Sequence, residues 1–297
     1  MVKLSDVLEK KGRDLHEAEL DPAYGETTPA QQPKVDAAAP QQQAATSHRP
    51  QISQTPEAPA PVREERPLSQ EESSRLVSRY QPGSPEAKRI DMLRSQLLYP
   101  FHGEPPHTIM ITSAAPREGR SLLAANLALS FARGLQQYVM VMDCHLTEPD
   151  QHRLLKVDRT PGLTDFLLYD AEVPDIIHWT DVDKLSIIPA GSPSNRSAEI
   201  LATDKMAGLI KELRSRYDDR YIILDTPPVQ AFDDPAVLAR MVEAIVVVVL
   251  GGVTDRDLVL RSIRTLPEEK ILGLVLNDMK AAVMDAPALG SLMGEAE

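Results

Sequence analysis

A run at residues 107–113, rich in β-branched and apolar side chains, passes directly into a short turn and then into a helical pattern. The turn ends in Gly119, Arg120 and Ser121. Backbone N–H groups at the start of such a helix can cradle phosphates, and a serine hydroxyl there can reach Mg²⁺. The segment therefore predicts a phosphate-binding turn at residues 114–121, although an ordinary strand-to-helix turn with an incidental glycine would have the same pattern.

The general phosphate-loop pattern is Gly-x-x-x-x-Gly-Lys-Ser/Thr, and this turn matches its second glycine and its hydroxyl. Ala114 takes the place of the first glycine, and Arg120 takes that of the lysine. Arginine keeps the positive charge, but its guanidinium is a broad planar fork whereas the lysine ammonium is a compact point charge. We predict that ATP or ADP contacts Pro116, Arg117, Glu118, Gly119, Arg120, Ser121 and Leu122.

Strand-like and helical segments alternate along the rest of the chain. Strands that are apolar at nearly every position, separated by helices, indicate a parallel sheet covered on both faces. The predicted fold is thus α/β, a doubly wound, mostly parallel sheet flanked by helices. Further strands are predicted at residues 138–143, 185–189, 221–225, 244–250 and 271–276, and helices at residues 85–98, 122–135, 205–216 and 255–266.

Two of these predicted strands end in a carboxylate, Asp143 and Asp225. The carboxyl ends of parallel strands meet at one edge of an open sheet, so both are expected beside the phosphate-binding turn. Mg²⁺ prefers oxygen ligands. We therefore predict Ser121 and Asp225 as its protein ligands, the carboxylate acting through water.

The start of the chain differs in composition from the rest of the chain. Residues 1–20 form a short amphipathic segment, either a frayed terminal helix or a docking helix for a partner. Residues 21–66 are rich in Pro, Ala and Gln with almost no branched or aromatic side chains, which predicts a disordered tether. A capping-box pattern at Ser69 marks the return of order. We assign residues 67–283 to the nucleotide-binding domain and residues 284–297 to a flexible tail.

Charge and composition exclude several functions. The formal net charge of −12 and the pI of about 5.1 exclude nucleic acid as the main partner. The single cysteine excludes an intramolecular disulfide and a zinc site built on thiolates. The longest apolar run, residues 244–250, is far shorter than the roughly 20 residues of a membrane span, and the start lacks the apolar core of a secretory signal. We therefore expect a cytosolic protein.

Further motifs occur in the same order as in one known family. They are Asp143 with Pro149 downstream and the segments at residues 162–167, 185–191, 197–201, 223–228 and 272–277. Together with the phosphate-binding turn, they resemble the bacterial tyrosine kinases of the CpsD/CapB type over about residues 86–280. That family belongs with the ParA/MinD-like P-loop ATPases.

The resemblance implies an ATP-dependent protein tyrosine autokinase that works with a membrane polysaccharide co-polymerase in capsule or exopolysaccharide export. Such a protein would be cytoplasmic and peripheral at the inner face of the plasma membrane, held there by the cytoplasmic tail of its partner, and could form homo-oligomeric rings. On this interpretation Asp143 is the general base toward a tyrosine hydroxyl, and Arg120 acts in place of the catalytic lysine. Residues 1–66 would hold the protein near its partner.

Some positions depart from the family pattern. Arg120 replaces the loop lysine, and Arg117 stands where glycine is usual, so the loop is expected to change conformation. The Asp-x-Asp motif reads Asp143-Cys144-His145, which removes one carboxylate from the metal side of the site. A neutral imidazole is a poor Mg²⁺ ligand. His145 could be a pH-sensitive substitute for the lost carboxylate, but we favour a surface residue or one that supports the site indirectly.

Two oligomerisation and phosphorylation features of the family are also altered. Its ring-forming helix carries Glu-x-x-Arg-x-x-Arg, whereas residues 88–94 read Lys-x-x-Asp-x-x-Arg, which disfavours rings. The tail at residues 285–297 has no tyrosine, so it cannot be the phosphorylated segment. Tyr24 and Tyr80 are expected to be the only accessible tyrosines.

These departures leave three functional hypotheses. The first, which we favour, is a nucleotide-binding pseudokinase that regulates polysaccharide synthesis and export with weak or no kinase activity. The second is an active tyrosine kinase of the same system. The third is a ParA/MinD-like positioning ATPase. It is disfavoured because Ala115 replaces the additional lysine of that class and because Asp225 is followed by Thr226-Pro227-Pro228.

Overall fold

The computed structural model describes residues 68–216 and 219–277. The predicted amphipathic segment, the tether and the tail lie outside these residues, as does Tyr24. In the described part of the chain, no helix is long and apolar enough to cross a membrane.

The sheet matches the prediction from the alternating segments. Its strands are β1 (Thr108–Ser113), β2 (Tyr138–Asp143), β3 (His178–Trp179), β4 (Leu185–Ile188), β5 (Arg220–Asp225), β6 (Ala244–Leu250) and β7 (Ile271–Asn277). They form one sheet in the order β3-β4-β2-β5-β1-β6-β7. The β3–β4 pair is antiparallel, and every other neighbouring pair is parallel. The mostly parallel α/β sheet is confirmed, with the two-residue edge strand β3 as an unpredicted addition.

Helices precede the sheet and connect its strands. They are α1 (Gln70–Ser74), α2 (Val77–Tyr80), α3 (Pro85–Leu98), α4 (Arg120–Ala132), α5 (Gln151–Leu155), α6 (Leu163–Leu168), α7 (Ser197–Leu201), α8 (Asp204–Arg216), α9 (Asp234–Leu238) and α10 (Arg256–Arg264). The predicted capping box is present: the Glu72 N–H donates to Ser69 Oγ at 3.1 Å, and the Ser69 N–H donates to the Glu72 carboxylate at 2.8 Å. Such a cap stabilises a helix by about 1 kcal/mol.

Side chains of each strand alternate between the two faces of the sheet, and each face has its own core. Ile109 and Ile111 of β1 lie with Val139 in the core on the side of α3 and α4. Met110 of β1 lies with Met140 in the core on the side of α8 and α10. Burial on both faces explains why the strands are apolar at nearly every position.

The strand order brings the three predicted strand ends together. Strand β1 lies between β5 and β6, and β2 follows β5. In the register, Ile111 is aligned with Asp225, and Asp225 with Asp143. The turn that leaves the carboxyl end of β1 is therefore beside both carboxylates.

Candidate nucleotide-binding site

The backbone of the predicted phosphate-binding turn takes left-handed conformations at two positions. Arg117 has φ of 65°, and Gly119, the N-cap of α4, has φ of 85°. A residue with a side chain loses roughly 1–2 kcal/mol in this region, whereas glycine does not. The loop therefore holds Arg117 in a left-handed conformation at this energetic cost. At Gly119 an added Cβ atom would collide with Nδ2 of Asn277, so that side chain would have to move.

The Glu118 carboxylate holds the shape of the turn from inside. It is buried, and it accepts the Ala115 N–H at 2.8 Å, the Leu250 N–H at 3.3 Å and the Thr254 hydroxyl. The Asn277 side chain donates to the Glu118 carbonyl at 2.9 Å. Apart from Ala115, these partners lie at or just beyond the ends of β6 and β7, far away in sequence.

Arg120 is the first residue of α4. Its guanidinium points toward the ends of β2 and β5, where Thr226, His145 and Asp225 lie; we call this part of the site its floor. Its Nε donates to the Thr226 carbonyl at 2.6 Å, and its Nη2 donates to His145 Nδ1 at 2.8 Å. The same Nε lies 3.8 Å from Asp225 Oδ1. The side chain is only 9% exposed, so this cation is enclosed by the ends of β2 and β5.

His145 is buried against Arg120, so its interpretation as a surface residue is wrong. Burial and the Arg120 charge lower the pKa of His145 to about 3, and the imidazole is neutral at physiological pH. Because arginine can only donate, Nδ1 must be the acceptor and Nε2 carries the proton. The ring also packs edge-on against Phe232, with centroids 5.5 Å apart. The histidine thus touches the loop arginine directly.

The neighbouring carboxylates of Asp143 and Asp225 are both buried. Burial, with the charge of Asp225 adding to it, raises the pKa of Asp143 to about 8. Burial also raises the pKa of Asp225, while Arg120, Gln151 and Ser121 act in the opposite direction. Two buried carboxyl groups side by side cannot both ionise without a large cost, so this pair favours holding a proton or binding a cation.

The oxygens of Asp143 are already occupied by backbone donors. Oδ1 accepts the His145 N–H at 3.2 Å, and Oδ2 accepts the N–H groups of Asp150 at 3.1 Å and Gln151 at 3.0 Å. The Gln151 side chain then bridges Asp225 Oδ2 and the Ser121 carbonyl, at 2.8 Å each. Gln151 connects all three predicted site elements, and its position could not be inferred because it follows an irregular loop.

The residues predicted to bind Mg²⁺ fit that ion chemically. Asp225 Oδ1 has no hydrogen-bond partner among the described residues, and the Ser121 hydroxyl lies near enough to the carboxylate to lower its pKa. An orphaned carboxylate oxygen beside a hydroxyl suits Mg²⁺, which takes few protein ligands and completes its shell with phosphate and water. Across residues 68–216 and 219–277, no group of three or more His, Cys, Asp or Glu side chains could hold a metal.

Outside the site, the segment aligned with the ring-forming motif is engaged within the chain. Asp91 accepts Arg133 Nη2 at 2.6 Å and the Ser130 hydroxyl at 2.5 Å, and Arg94 donates to the Ser130 carbonyl. These contacts tie α3 to the C-terminal half of α4. Asp91 and Arg94, which align with the family's ring-forming motif, are therefore paired within the chain.

The expectation that Tyr80 is the one accessible tyrosine of the folded part is wrong. Tyr80 is 44% exposed, but Tyr99 is 76% and Tyr169 is 66% exposed. Each of these two follows the last residue of a helix, α3 and α6 respectively. Tyr221, predicted to lie in a core strand, is buried.

Comparison with known proteins gives the chain a set of relatives, although no protein-family model matches it. It is 28% identical over 200 residues to the putative tyrosine-protein kinase CapB of Staphylococcus aureus, which covers 67% of this chain and 86% of that protein. It is 28% identical over 207 residues to the tyrosine-protein kinase YwqD of Bacillus subtilis, with 69% and 86% covered. Its match to the succinoglycan biosynthesis transport protein ExoP of Rhizobium meliloti is 31% identical over 59% of this chain but only 22% of that protein.

Solved structures give the same relationship. The kinase domain of the Escherichia coli tyrosine kinase ETK superposes with a TM-score of 0.64 at 26% identity, covering 71% of this chain and 83% of that one. The chimerical protein CapA2B2 superposes with a TM-score of 0.63 at 29% identity, covering 69% and 89%. The predicted resemblance to bacterial tyrosine kinases and the P-loop ATPase fold are confirmed.

Proposed function

From its homology to the bacterial tyrosine-protein kinases of capsule and exopolysaccharide systems, we propose that this chain is a nucleotide-binding regulator of polysaccharide synthesis and export with weak or no kinase activity. The observation that carries this proposal is the position of Arg120. This cation, at the start of the helix that follows the phosphate-binding turn, is bound by Thr226 and His145 on the floor of the site.

Phosphoryl transfer depends on positive charge placed on the β- and γ-phosphates. To supply it, Arg120 would have to give up two charge-assisted hydrogen bonds, each of which contributes about 1.5–3 kcal/mol. It would also leave Asp225, a buried carboxylate, without its nearest cation. This combined cost opposes the arrangement that a kinase needs.

Asp143 is the candidate general base, and its environment limits that role. A base must be ionised and must have a free lone pair within reach of the substrate hydroxyl. The raised pKa of about 8 keeps most of the Asp143 carboxyl protonated at neutral pH. Three backbone N–H groups already point at its oxygens. Both features support weak catalysis.

Nucleotide binding requires fewer of these groups than phosphoryl transfer does. The backbone N–H groups at residues 117–122 would form the phosphate cradle, as in other phosphate loops at helix starts. Ser121 and Asp225 would hold Mg²⁺, which supplies positive charge at the phosphates when bound. We assign ATP or ADP with Mg²⁺ to this site on these grounds.

The partner in this proposal is the cytoplasmic tail of a membrane polysaccharide co-polymerase. The role of ExoP in succinoglycan biosynthesis transport supports a place in such a system. The protein would act at the inner face of the plasma membrane through that partner, and residues 1–66 would tether it there. Deletion of residues 1–66 is expected to abolish co-purification with the co-polymerase, and unchanged co-purification would exclude the tether role.

An active kinase is the second candidate function, because Ser121, Asp225 and the phosphate cradle are retained at one edge of the sheet. The two are separated by calorimetry with ATP, with and without Mg²⁺, followed by a γ-phosphate transfer assay in the presence of the partner's cytoplasmic tail. Tight binding without transfer supports the regulator. Robust transfer that Asp143→Asn abolishes would establish the active kinase instead. Gain of transfer in Arg120→Lys would identify the arginine as the cause of inactivity.

A further inference from the structure

The two side chains that depart most from the kinase pattern contact each other. Arg120 stands at the loop-lysine position and His145 at the second aspartate position, 25 residues apart in sequence. In the fold, Arg120 Nη2 and His145 Nδ1 are 2.8 Å apart, and both residues are buried. The contact requires both departures from the family pattern, because Arg120 supplies the long planar donor and His145 the neutral acceptor.

The contact fixes the guanidinium in two directions at once. The guanidinium is a rigid plane, so donation from Nε to Thr226 and from Nη2 to His145 sets both its position and its orientation. Asp225 Oδ1, 3.8 Å from Nε, adds an attraction on the same side. Arg120 therefore cannot turn toward the phosphate cradle while His145 accepts from it.

We propose that His145 is a positioning residue that holds Arg120 away from the β- and γ-phosphates, so that the site binds ATP and ADP with similar affinity. This inference rests on the proposed nucleotide binding and specifies its selectivity. A loop cation that reached the terminal phosphate would favour the triphosphate. With that cation held on the floor, the cradle of N–H groups recognises the phosphates that the two nucleotides share.

The His145→Phe variant separates the hydrogen-bond acceptor of His145 from the packing of its ring. Phenylalanine keeps an aromatic ring against Phe232 but cannot accept from Arg120. Loss of one charge-assisted hydrogen bond corresponds to about ten-fold or more in an equilibrium. We expect the ratio of ADP to ATP dissociation constants, measured by calorimetry in EDTA, to rise from near one in the natural protein to about ten in the variant.

His145→Asn is the matched control. Its side-chain oxygen lies where imidazole Nδ1 lies, so it can still accept from Arg120 and should leave the ratio near one. In the Arg120→Gln/His145→Phe double variant, the gain in ATP affinity should vanish because the cation is gone. If His145→Phe lowers the melting temperature enough to prevent titration, His145→Leu also lacks the acceptor and must give the same ratio.

Two results would overturn the inference while leaving nucleotide binding intact. One is a natural protein that already prefers ATP ten-fold or more, with no further change in His145→Phe. The other is a ratio near one in every variant. Failure of the natural protein to bind either nucleotide, with or without Mg²⁺, would refute the proposed function itself, so the two failures are distinguishable.

Discussion

Folding shifts the pKa values of Asp143 and His145 in opposite directions, and these shifts make the free energy of unfolding depend on pH. Folding raises the pKa of Asp143 from 3.8 to about 8 and lowers that of His145 from 6.5 to about 3. Between about pH 4 and 6.5, the folded Asp143 holds a proton that the unfolded chain releases, so its contribution to stability falls as pH rises. Over the same range the unfolded His145 binds a proton that the folded one does not, so its contribution rises with pH.

The two slopes have equal magnitude and opposite sign. One proton of difference changes the free energy of unfolding by about 1.4 kcal/mol per pH unit. The contributions therefore cancel below about pH 6.5. Above it the His145 contribution is complete, and the Asp143 contribution alone lowers the free energy of unfolding by about 2 kcal/mol between pH 6.5 and 8. Folding also raises the pKa of Asp225, which gives a contribution of the same sign.

Urea unfolding at half-unit steps from pH 4.5 to 8.5 measures these slopes. In His145→Asn, which keeps an acceptor for Arg120 but does not titrate, the decline should begin near pH 4.5. In Asp143→Asn, the rise due to His145 up to pH 6.5 should no longer be cancelled by Asp143, and the decline above pH 6.5 should be smaller than in the natural protein. His102→Asn, at an exposed position, controls for the loss of a histidine and should reproduce the natural profile. Equal slopes below pH 6.5 in the natural protein and His145→Asn would refute a buried, neutral His145.

Three further substitutions test the loop and the α3–α4 contact, each by thermal or urea denaturation. Gly119→Ala places a Cβ against Asn277 in a left-handed conformation and should lower the free energy of unfolding by about 1–3 kcal/mol. In an Asn277→Ala background, the part of this loss that is due to the contact should disappear. Equal losses in both backgrounds would rule out the clash. Arg117→Gly relieves left-handed backbone and should raise the free energy of unfolding by about 0.5–1 kcal/mol, whereas a loss would show that the arginine side chain stabilises the turn. Asp91→Ala leaves Arg133 Nη2 and the Ser130 hydroxyl without their acceptor, while Arg133 Nη1 keeps the Ser78 carbonyl, and it should cost about 1–2 kcal/mol without altering nucleotide affinity. A change in that affinity would contradict a purely structural role.

The strands and the strand-to-helix turn at residues 114–121 could be predicted because their signals are local. A strand buried on both faces must be apolar throughout, and β6 shows this directly in sequence. The carboxylates at the ends of β2 and β5 follow from the rule that parallel strands present their carboxyl ends at one edge. These features depend on a few consecutive residues and on topology.

The remaining features depend on contacts through space. Gln151 reaches the site from a segment with no motif of its own, and the motif at residues 272–277 does not reveal that Asn277 contacts the turn. The polarity of histidine favours a surface position for His145, yet its Nδ1 is paired with Arg120 in the interior. Tyr99 and Tyr169 are exposed because each lies just beyond a helix end, where the apolar periodicity no longer fixes which way a side chain faces.

The hydrogen bond between Asn277 and the Glu118 carbonyl joins residues 159 positions apart. During synthesis the turn at residues 114–121 leaves the ribosome long before β7 is made. A nascent chain therefore lacks the hydrogen bond from Asn277 to this turn. We expect the turn to reach its final conformation only when the last strand docks, which would delay the proposed nucleotide binding until the sheet is complete. A chain stopped at residue 270 should then leave the turn open to protease cleavage, and equal protection of stopped and full-length chains would contradict this order of assembly.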